Sequence, residues 1–218
     1  MNCEFSFDHP LFLALNFDGG PVLDRVMLIV SGTAVWLPLY ALILWLVQRR
    51  CGWRNLLLFT VLMLAALSLS DMISGIFKHN GLLGDLLPRF QPRLRPMFTP
   101  ELEGLGITAD SLAAIRRAAI PGNWAVHVPV EAVSGRYGTV SAHAATVVAL
   151  ATLSIAVIRR RWFAGLMIGC TLLICYSRIY LAKHFPLDLF WGALLGLLLG
   201  WGAWLVFRTL SRHTKQSL

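Results

Sequence analysis

Residues 176–188, YSRIYLAKHFPLD, carry several ionisable side chains at the boundary between two apolar segments. Arg178, Lys183, His184 and Asp188 all lie in this stretch, whereas residues 162–175 and 189–207 on either side are almost entirely apolar. Ionisable side chains are costly in hydrocarbon, so several of them at one edge of a membrane segment indicate a functional site. The stretch therefore predicts two membrane helices joined by a chemically active turn.

The composition of the whole chain supports a membrane fold. Of its 218 residues, 57% are hydrophobic and only 14% are charged, which is typical of an integral membrane protein. Five segments approach the roughly 20 apolar residues that cross a hydrocarbon core of about 30 Å. They are residues 26–48, 55–77, 142–158, 162–182 and 187–207. We therefore predict an all-α fold, a polytopic integral membrane helical bundle of about five transmembrane helices.

The remaining segments divide the chain into three parts. We expect residues 1–25 to be an N-terminal interfacial segment with a turn at Asp18-Gly19-Gly20-Pro21, residues 26–207 to be one membrane domain, and residues 208–218 to be a basic cytoplasmic tail. An insertion, residues 79–140, separates the second and third spans. Within it, TADSLAAIRRAA (108–119) predicts a short surface helix capped by Thr108 or Asp110. Glycines at four-residue spacing in the last span, Gly192, Gly196 and Gly200, predict close helix packing.

Three basic clusters indicate the orientation in the membrane. QRRCGWRN (48–55), RRRW (159–162) and FRTLSRHTK (207–215) fall on one side of a five-span bundle, and short basic loops stay in the cytoplasm. The insertion and the turn with His184 then face the other compartment, which is the periplasm if the membrane is a bacterial inner membrane. These clusters account for much of the formal charge of +8, so we expect no nucleic-acid partner. The four cysteines show no disulfide or metal-binding pattern.

Polar residues at the non-cytoplasmic ends of four predicted spans have complementary chemistry. Lys78 ends the second span, Ser141 and His143 open the third, Arg178 is near the end of the fourth, and His184 and Asp188 bracket the start of the fifth. Arginine and lysine suit phosphate, and a serine at a helix start can help to hold an anion. Histidine side chains can act as acid or base near neutral pH, so His143 is a candidate for that role.

The position of Pro186 defines the geometry expected around the second histidine. Proline is favoured in the first turn of a helix, which places His184 just before the fifth span and Asp188 within its first turn. A carboxylate in that position can orient an imidazole. Histidines and cations without acidic metal ligands favour phosphoryl transfer through a histidine nucleophile over metal catalysis.

Three motifs resemble the signatures of the type 2 phosphatidic acid phosphatase superfamily. SRIYLAKHFPLD (177–188) matches the third signature, which is Ser-Arg, five residues, His, three residues, Asp. YGTVSAHAA (137–145) is similar to the second, Pro-Ser-Gly-His, with Val140 and Ala142 in place of the proline and the glycine. SDMISGIFK (70–78) and the later RLRP (93–96) are similar to the first, in which a lysine is followed after six residues by Arg-Pro.

The first signature is stretched in this sequence. The interval from Lys78 to Arg95 is ten residues longer than the pattern. Arg95, Arg93 or Arg89 could therefore supply the arginine of that signature.

The resemblance implies a membrane phosphatase that needs no metal or other cofactor. Its substrate would be a lipid phosphate or diphosphate of the phosphatidate, phosphatidylglycerophosphate, undecaprenyl diphosphate or lipid A class. The resemblance makes His184 the nucleophile that forms a phosphohistidine, Asp188 its orienting partner, and His143 the acid that protonates the leaving group. The phosphoryl oxygens would be held by Lys78, Arg95, Ser141 and Arg178.

Two other functions remain open from the sequence. A phosphotransferase that passes a phosphoryl group from a lipid diphosphate to another lipid would use the same residues. A non-catalytic protein that binds or transports lipid phosphates would explain the altered first signature. In each case the expected partners are a lipid phosphate and the surrounding membrane lipids.

Overall fold

The computed structural model describes residues 7–78, 92–99 and 126–216, and every regular element within these ranges is helical. The α-helices are α1 (Asp8–Leu15), α2 (Gly20–Ser31), α3 (Leu37–Ile76), α4 (Ala142–Ile158), α5 (Arg161–Tyr180) and α6 (Pro186–Gln216). Short 3-10 turns occupy Ala34–Trp36, Pro96–Phe98 and Val130–Ala132. The all-helical prediction is confirmed for these ranges, whereas the helix predicted at 108–119 lies outside them.

Three helical segments are long and apolar enough to cross a membrane. They are Ala34–Ile76, Arg161–Tyr180 and Pro186–Ser211, and the apolar helix Ala142–Ile158 is shorter. These lengths agree with a membrane helical bundle. They do not establish the predicted number of five spans.

The first predicted span, residues 26–48, is not one continuous helix. The backbone becomes extended at Gly32 (φ −80°, ψ 159°), and a 3-10 turn follows before α3 begins. The indole N–H of Trp36 donates to the carbonyl of Val30 at 2.9 Å across this break. Pro38 then lies in the first turn of α3, where proline is tolerated, whereas it disrupts a helix interior.

Helix α3 contains a second break at Gly52, which has φ 77° and ψ 172°. The conformation separates residues 37–51 from residues 53–76, and a positive φ of this kind favours glycine. Val47 before the break and Phe59 after it pack in the same core cluster as Phe163 of α5. Arg50 donates to the carbonyl of Ile158 at 2.8 Å. The basic turns at 48–55 and 159–162 therefore meet at one end of the bundle.

Helix α4 lies at the centre of the bundle, where it contacts α3, α5 and α6. Helix α6 approaches it very closely. A Cβ atom built on Gly192, Gly196 or Gly200 would overlap the backbone of residues 141, 145 or 149. Most of the side chains of α4, many of them alanines, are buried. The close packing predicted from the glycine spacing is confirmed.

The N-terminal segment covers the end of the bundle opposite the basic turns. Phe12 of α1 is fully buried and contacts Phe185 edge to face, with the ring centroids 5.3 Å apart. The Asn16 side chain donates to the carbonyls of Ile179 and Tyr180 at 3.2 and 2.9 Å, which satisfies acceptors at the C-terminal end of α5. The turn predicted before α2 is present, with the Gly20 N–H donating to Asp18 Oδ1 at 2.8 Å.

Candidate active site

The turn between α5 and α6 places His184 at the covered end of the bundle. Helix α5 ends at Tyr180, and the N–H groups of Lys183 and His184 both donate to the carbonyl of Arg178, at 2.9 and 3.3 Å. Helix α6 begins at Pro186, as predicted. His184 consequently stands just before the helix, and only 1% of its surface is exposed.

The contacts of His184 identify its tautomer. Nδ1 lies 2.9 Å from the carbonyl oxygen of Gly138 and 3.4 Å from Oδ2 of Asp188. A carbonyl oxygen can only accept a hydrogen bond, so Nδ1 carries the proton and Nε2 keeps its lone pair. Burial, together with the nearby cations Arg178, Arg95 and Lys78, lowers the pKa of His184 well below its ordinary value of 6.5. The imidazole is therefore neutral near pH 7.

Asp188 is fixed by contacts to both of its carboxylate oxygens. Oδ2 accepts the N–H of Phe185 at 3.0 Å, and Oδ1 lies 3.5 Å from a guanidinium nitrogen of Arg93. The main-chain carbonyl of Asp188 accepts the N–H of Ser141 at 3.1 Å, which joins the starts of α4 and α6. Because Asp188 is only 2% exposed and both of its carboxylate oxygens have partners, the side chain keeps one orientation toward His184.

Three cations, Lys78, Arg95 and Arg178, converge beside His184 and act electrostatically on it. Among the described residues none of the three forms a salt bridge. Burial lowers the pKa of Arg95, and burial together with Arg95 and Arg178 lowers the pKa of Lys78 to about 8. Arg178 is buried and the other two cations are half-buried, so the group favours a bound anion that balances its charge.

The two arginines keep fixed positions through neutral partners. Arg95 donates through Nε to the carbonyl of Tyr137 at 3.1 Å and through a terminal nitrogen to the carbonyl of Ser134. Arg178 donates to the hydroxyl of Ser31, while its Nε is buried without a hydrogen-bond partner. An oxyanion placed there would satisfy this donor.

Ser141 and His143 occupy the first turn of α4. The buried Ser141 is the N-cap, and its hydroxyl accepts the N–H of Ala144 at 3.4 Å. His143 is exposed and lines a largely apolar cavity of about 280 Å³, together with Ser31 of α2 and Asp71 of α3. The charges that act on His143 are those of Arg178, Lys183, Lys78 and Arg95. His143 therefore lies between the group of cations and an apolar opening.

The structure places Arg95 and Arg93, two of the three arginines that the first signature left open, in different surroundings. A Cβ atom built on Gly138 would lie 3.1 Å from Cγ of Arg95 and 3.3 Å from Nδ1 of His184, so Arg95 packs on the same glycine as the histidine. Arg93 instead pairs with Asp8 and Asp188. Arg89 lies outside the described residues. The ten additional residues in the first signature thus leave Arg95 beside His184.

Two further residues at the site, Asp8 and Gly138, carry no signal in the sequence that singles them out, and Arg93 stands out only as a candidate for the signature arginine. Gly138 supplies the carbonyl that orients His184, while Asp8 and Arg93 form a buried pair with an N–O distance of 2.5 Å. Asp8 is 180 residues from Asp188 in sequence, and neither hydropathy nor spacing connects them. Asp71 could have been noticed, because an acidic residue inside an apolar span is unusual.

A second group of titratable side chains joins the N-terminal segment to His127. His127 Nε2 is 2.7 Å and Nδ1 is 3.7 Å from carboxylate oxygens of Asp24 and Asp18 respectively, and Asp24 also accepts the hydroxyl of Tyr180 at 2.6 Å. One potential ligand atom from each of these two aspartates and from His127 lies within 4.8 Å of the others, which is close enough to hold a metal ion. Hydrogen bonds already engage these groups, and the group does not include His184.

Comparison with known proteins supports an enzyme. The family model of the PAP2 superfamily matches residues 59–212. A lipid A 4'-phosphatase of Bacteroides thetaiotaomicron is 29% identical over 94% of this chain and 78% of its own length. A lipid A 4'-phosphatase of Porphyromonas gingivalis is 24% identical over 87% of this chain and 68% of its own length.

A solved structure is similar in fold. The crystal structure of Aquifex aeolicus LpxE covers 92% of this chain and 96% of its own, with a TM-score of 0.52 and 19% sequence identity. The family match spans more than half of the chain and includes all of the predicted site residues, which are Lys78, Arg95, Ser141, His143, Arg178, His184 and Asp188. The protein is therefore an enzyme, a phosphoric-ester hydrolase, and it belongs to the PAP2 superfamily.

Proposed function

We propose that the protein hydrolyses a phosphate group of a lipid A-type glycolipid through a phosphohistidine on His184, without a metal ion. The observation that carries this proposal is the hydrogen bond from Nδ1 of His184 to the Gly138 carbonyl, beside Asp188. It leaves Nε2 as the nucleophilic nitrogen in a site surrounded by cations.

The proposed reaction has two steps. Nε2 of His184 attacks phosphorus, so that an N–P bond forms while the ester P–O bond breaks and the sugar oxygen leaves with a proton from His143. Water, deprotonated by His143, then attacks phosphorus, the N–P bond breaks, and inorganic phosphate leaves. The Asp188 carboxylate stabilises the positive charge that develops on the imidazole in the first step.

Phosphate binding is assigned to Lys78, Arg95 and Arg178, with Ser141 at the start of α4. None of the three cations forms a salt bridge among the described residues, although Asp188 acts on Lys78 and Arg95 at longer range, and the buried Nε of Arg178 has no hydrogen-bond partner. They would neutralise charge on the equatorial oxygens during transfer. No group of metal ligands is needed for this role, which supports a metal-independent reaction.

The substrate class rests on the two relatives and on the cavity beside His143. Both relatives carry the name lipid A 4'-phosphatase. The cavity is lined mainly by apolar residues of α2, α3, α4 and α5, including Val30, Leu67, Val147 and Ile174. It would let an acyl chain remain in the membrane while the phosphate reaches the cations. We place the site on the periplasmic face of the inner membrane, because the basic turns meet at the opposite end of the bundle.

The test is phosphate release by the purified protein in detergent with EDTA. Bisphosphorylated lipid A, phosphatidate, phosphatidylglycerophosphate and undecaprenyl diphosphate are compared, with and without a lipid acceptor. We expect preferential release from lipid A, its loss in His184→Ala, and its retention in the control His127→Gln. Transfer to the acceptor would support the phosphotransferase instead. Equal release by His184→Ala would exclude the proposed nucleophile, and release from another lipid would exclude the proposed substrate.

A further inference from the structure

A chain of charged side chains leads from α1 to the partner of the proposed nucleophile. One guanidinium nitrogen of Arg93 lies 2.5 Å from Oδ2 of Asp8 and 3.5 Å from Oδ1 of Asp188. Asp8 is fully buried, Asp188 is 2% exposed, and the Arg93 side chain is 22% exposed. Two buried carboxylates therefore share a single guanidinium.

Asp8 also contacts the start of α6 directly. Its second oxygen, Oδ1, accepts the backbone N–H of Leu187 at 3.0 Å. That N–H belongs to the first turn of α6, where backbone donors have no partner within the helix. Asp8 thus caps the start of α6 from another helix, and the N–H that it accepts belongs to the residue directly before Asp188.

The ring of Phe185 completes this arrangement next to His184. The guanidinium carbon of Arg93 lies 3.7 Å from the Phe185 ring centroid, and the ring of His9 stacks on Phe185 with 4.8 Å between centroids. Phe185 also donates its N–H to Asp188. The residue that links His184 to α6 is therefore held by α1 and by Arg93 together.

We propose that Asp8 and Arg93 are positioning residues that hold Asp188 in the orientation that His184 requires. This inference rests on the proposed function. Asp8 lies outside the three signature motifs, and Arg93, which is part of RLRP (93–96), receives a role other than phosphate binding. Asp8 engages Arg93 more closely than Asp188 does, so Arg93 orients Oδ1 of Asp188 without drawing the carboxylate away from His184. Oδ2 of Asp188 then remains directed at Nδ1 of His184.

Arg93 has a different role from the three phosphate-binding cations. Its guanidinium lies within salt-bridge distance of Asp8 and Asp188, whereas Arg95 donates to main-chain carbonyls and forms no salt bridge among the described residues. Loss of Arg93 should therefore reduce the rate of the chemical step and not the affinity for phosphate. The separation of kcat from KM distinguishes positioning from substrate binding.

The experiment compares Asp8→Asn, Asp8→Glu, Arg93→Gln and Arg93→Lys in the full-length protein, with bisphosphorylated lipid A in mixed micelles. The control is Asp24→Asn, which alters another anchoring carboxylate of the N-terminal segment that does not contact Asp188. We expect kcat to fall about tenfold or more in Asp8→Asn and Arg93→Gln, with KM nearly unchanged. The size of this decrease is taken by analogy from metal sites, where removal of a residue that orients a ligand costs about 10–100-fold. Asp8→Glu and Arg93→Lys keep the charges and should recover part of kcat.

A double variant tests whether the two residues act as a unit. Asp8→Asn combined with Arg93→Gln should lose less than the product of the two single losses, because the pair is already broken by either change. Unchanged kcat in both single variants, an effect on KM alone, or an equal loss in Asp24→Asn would overturn the positioning role while wild-type activity remains. If the wild-type protein released no phosphate from any lipid, the proposed function would fail first, and this inference with it.

Discussion

Replacement of Gly138 by alanine tests the geometry of the site, because its carbonyl cannot itself be mutated. A Cβ atom at this position would lie 3.1 Å from Cγ of Arg95, 3.3 Å from Oδ2 of Asp188 and 3.3 Å from Nδ1 of His184. Carbon atoms in contact prefer about 3.5–4.0 Å. The added methyl group must therefore displace Arg95 by about 0.4 Å, and Asp188 and His184 lie almost as close to it.

The displacement can be converted into an expected loss of rate. A misplacement of about 1 Å in an active site can cost about 100-fold, or two powers of ten. A shift of about 0.4 Å then predicts a decrease in kcat of roughly 3- to 10-fold for Gly138→Ala. The bulkier Gly138→Val should lose substantially more, so the two variants form a graded series.

The assay is phosphate release at saturating lipid, with thermal unfolding measured on the same samples. Gly202→Ala is the matched control, because a Cβ atom there would meet nothing within 4 Å. It should retain both activity and stability. Full kcat in a folded Gly138→Ala protein would refute the reasoning, since His184 would then tolerate a group inserted beside its Nδ1.

Two further predictions concern charge and packing. Burial and Arg95 lower the pKa of Lys78 to about 8, so the lysine loses its proton as the pH rises through about 8. The value of kcat/KM should therefore fall near that pH, and in Lys78→Arg the fall should move to higher pH. An unchanged pH profile in the variant would contradict the assignment of Lys78 to phosphate binding. In Gly196→Ala the new Cβ atom would overlap the backbone at Ala145. We expect the free energy of unfolding, measured by denaturant titration, to decrease by about 1–3 kcal/mol. A stability equal to that of Gly202→Ala would refute the close contact.

Local sequence signals correctly located several parts of the site. Pro186 marked the start of α6, and with it the places of His184 and Asp188. Ser141 directly precedes the third predicted span, 142–158, and the structure has it as the N-cap of α4. These signals depend on residues within one helical turn, so they can be read from the sequence without knowledge of the fold.

The interruptions of the helices were harder to predict. Residues 26–48 contain no charged side chain, yet one helix ends at Ser31 and another begins at Leu37. Hydropathy measures affinity for a membrane and is insensitive to a backbone change at a single residue such as Gly32. Pro38 offered a signal of the break, because proline is favoured at a helix start.

The sequence by itself determined the helical membrane architecture and the residues of the signature motifs, because apolar runs, caps and fixed spacings are written along the chain. Only the tertiary structure decided which arginine lies beside His184, which carbonyl fixes its tautomer, and that Asp8 contacts the start of α6. Asp8 and Leu187 are 179 residues apart. Pairing over such a separation depends on how the helices pack, and helix packing is a property of all the contacting side chains together.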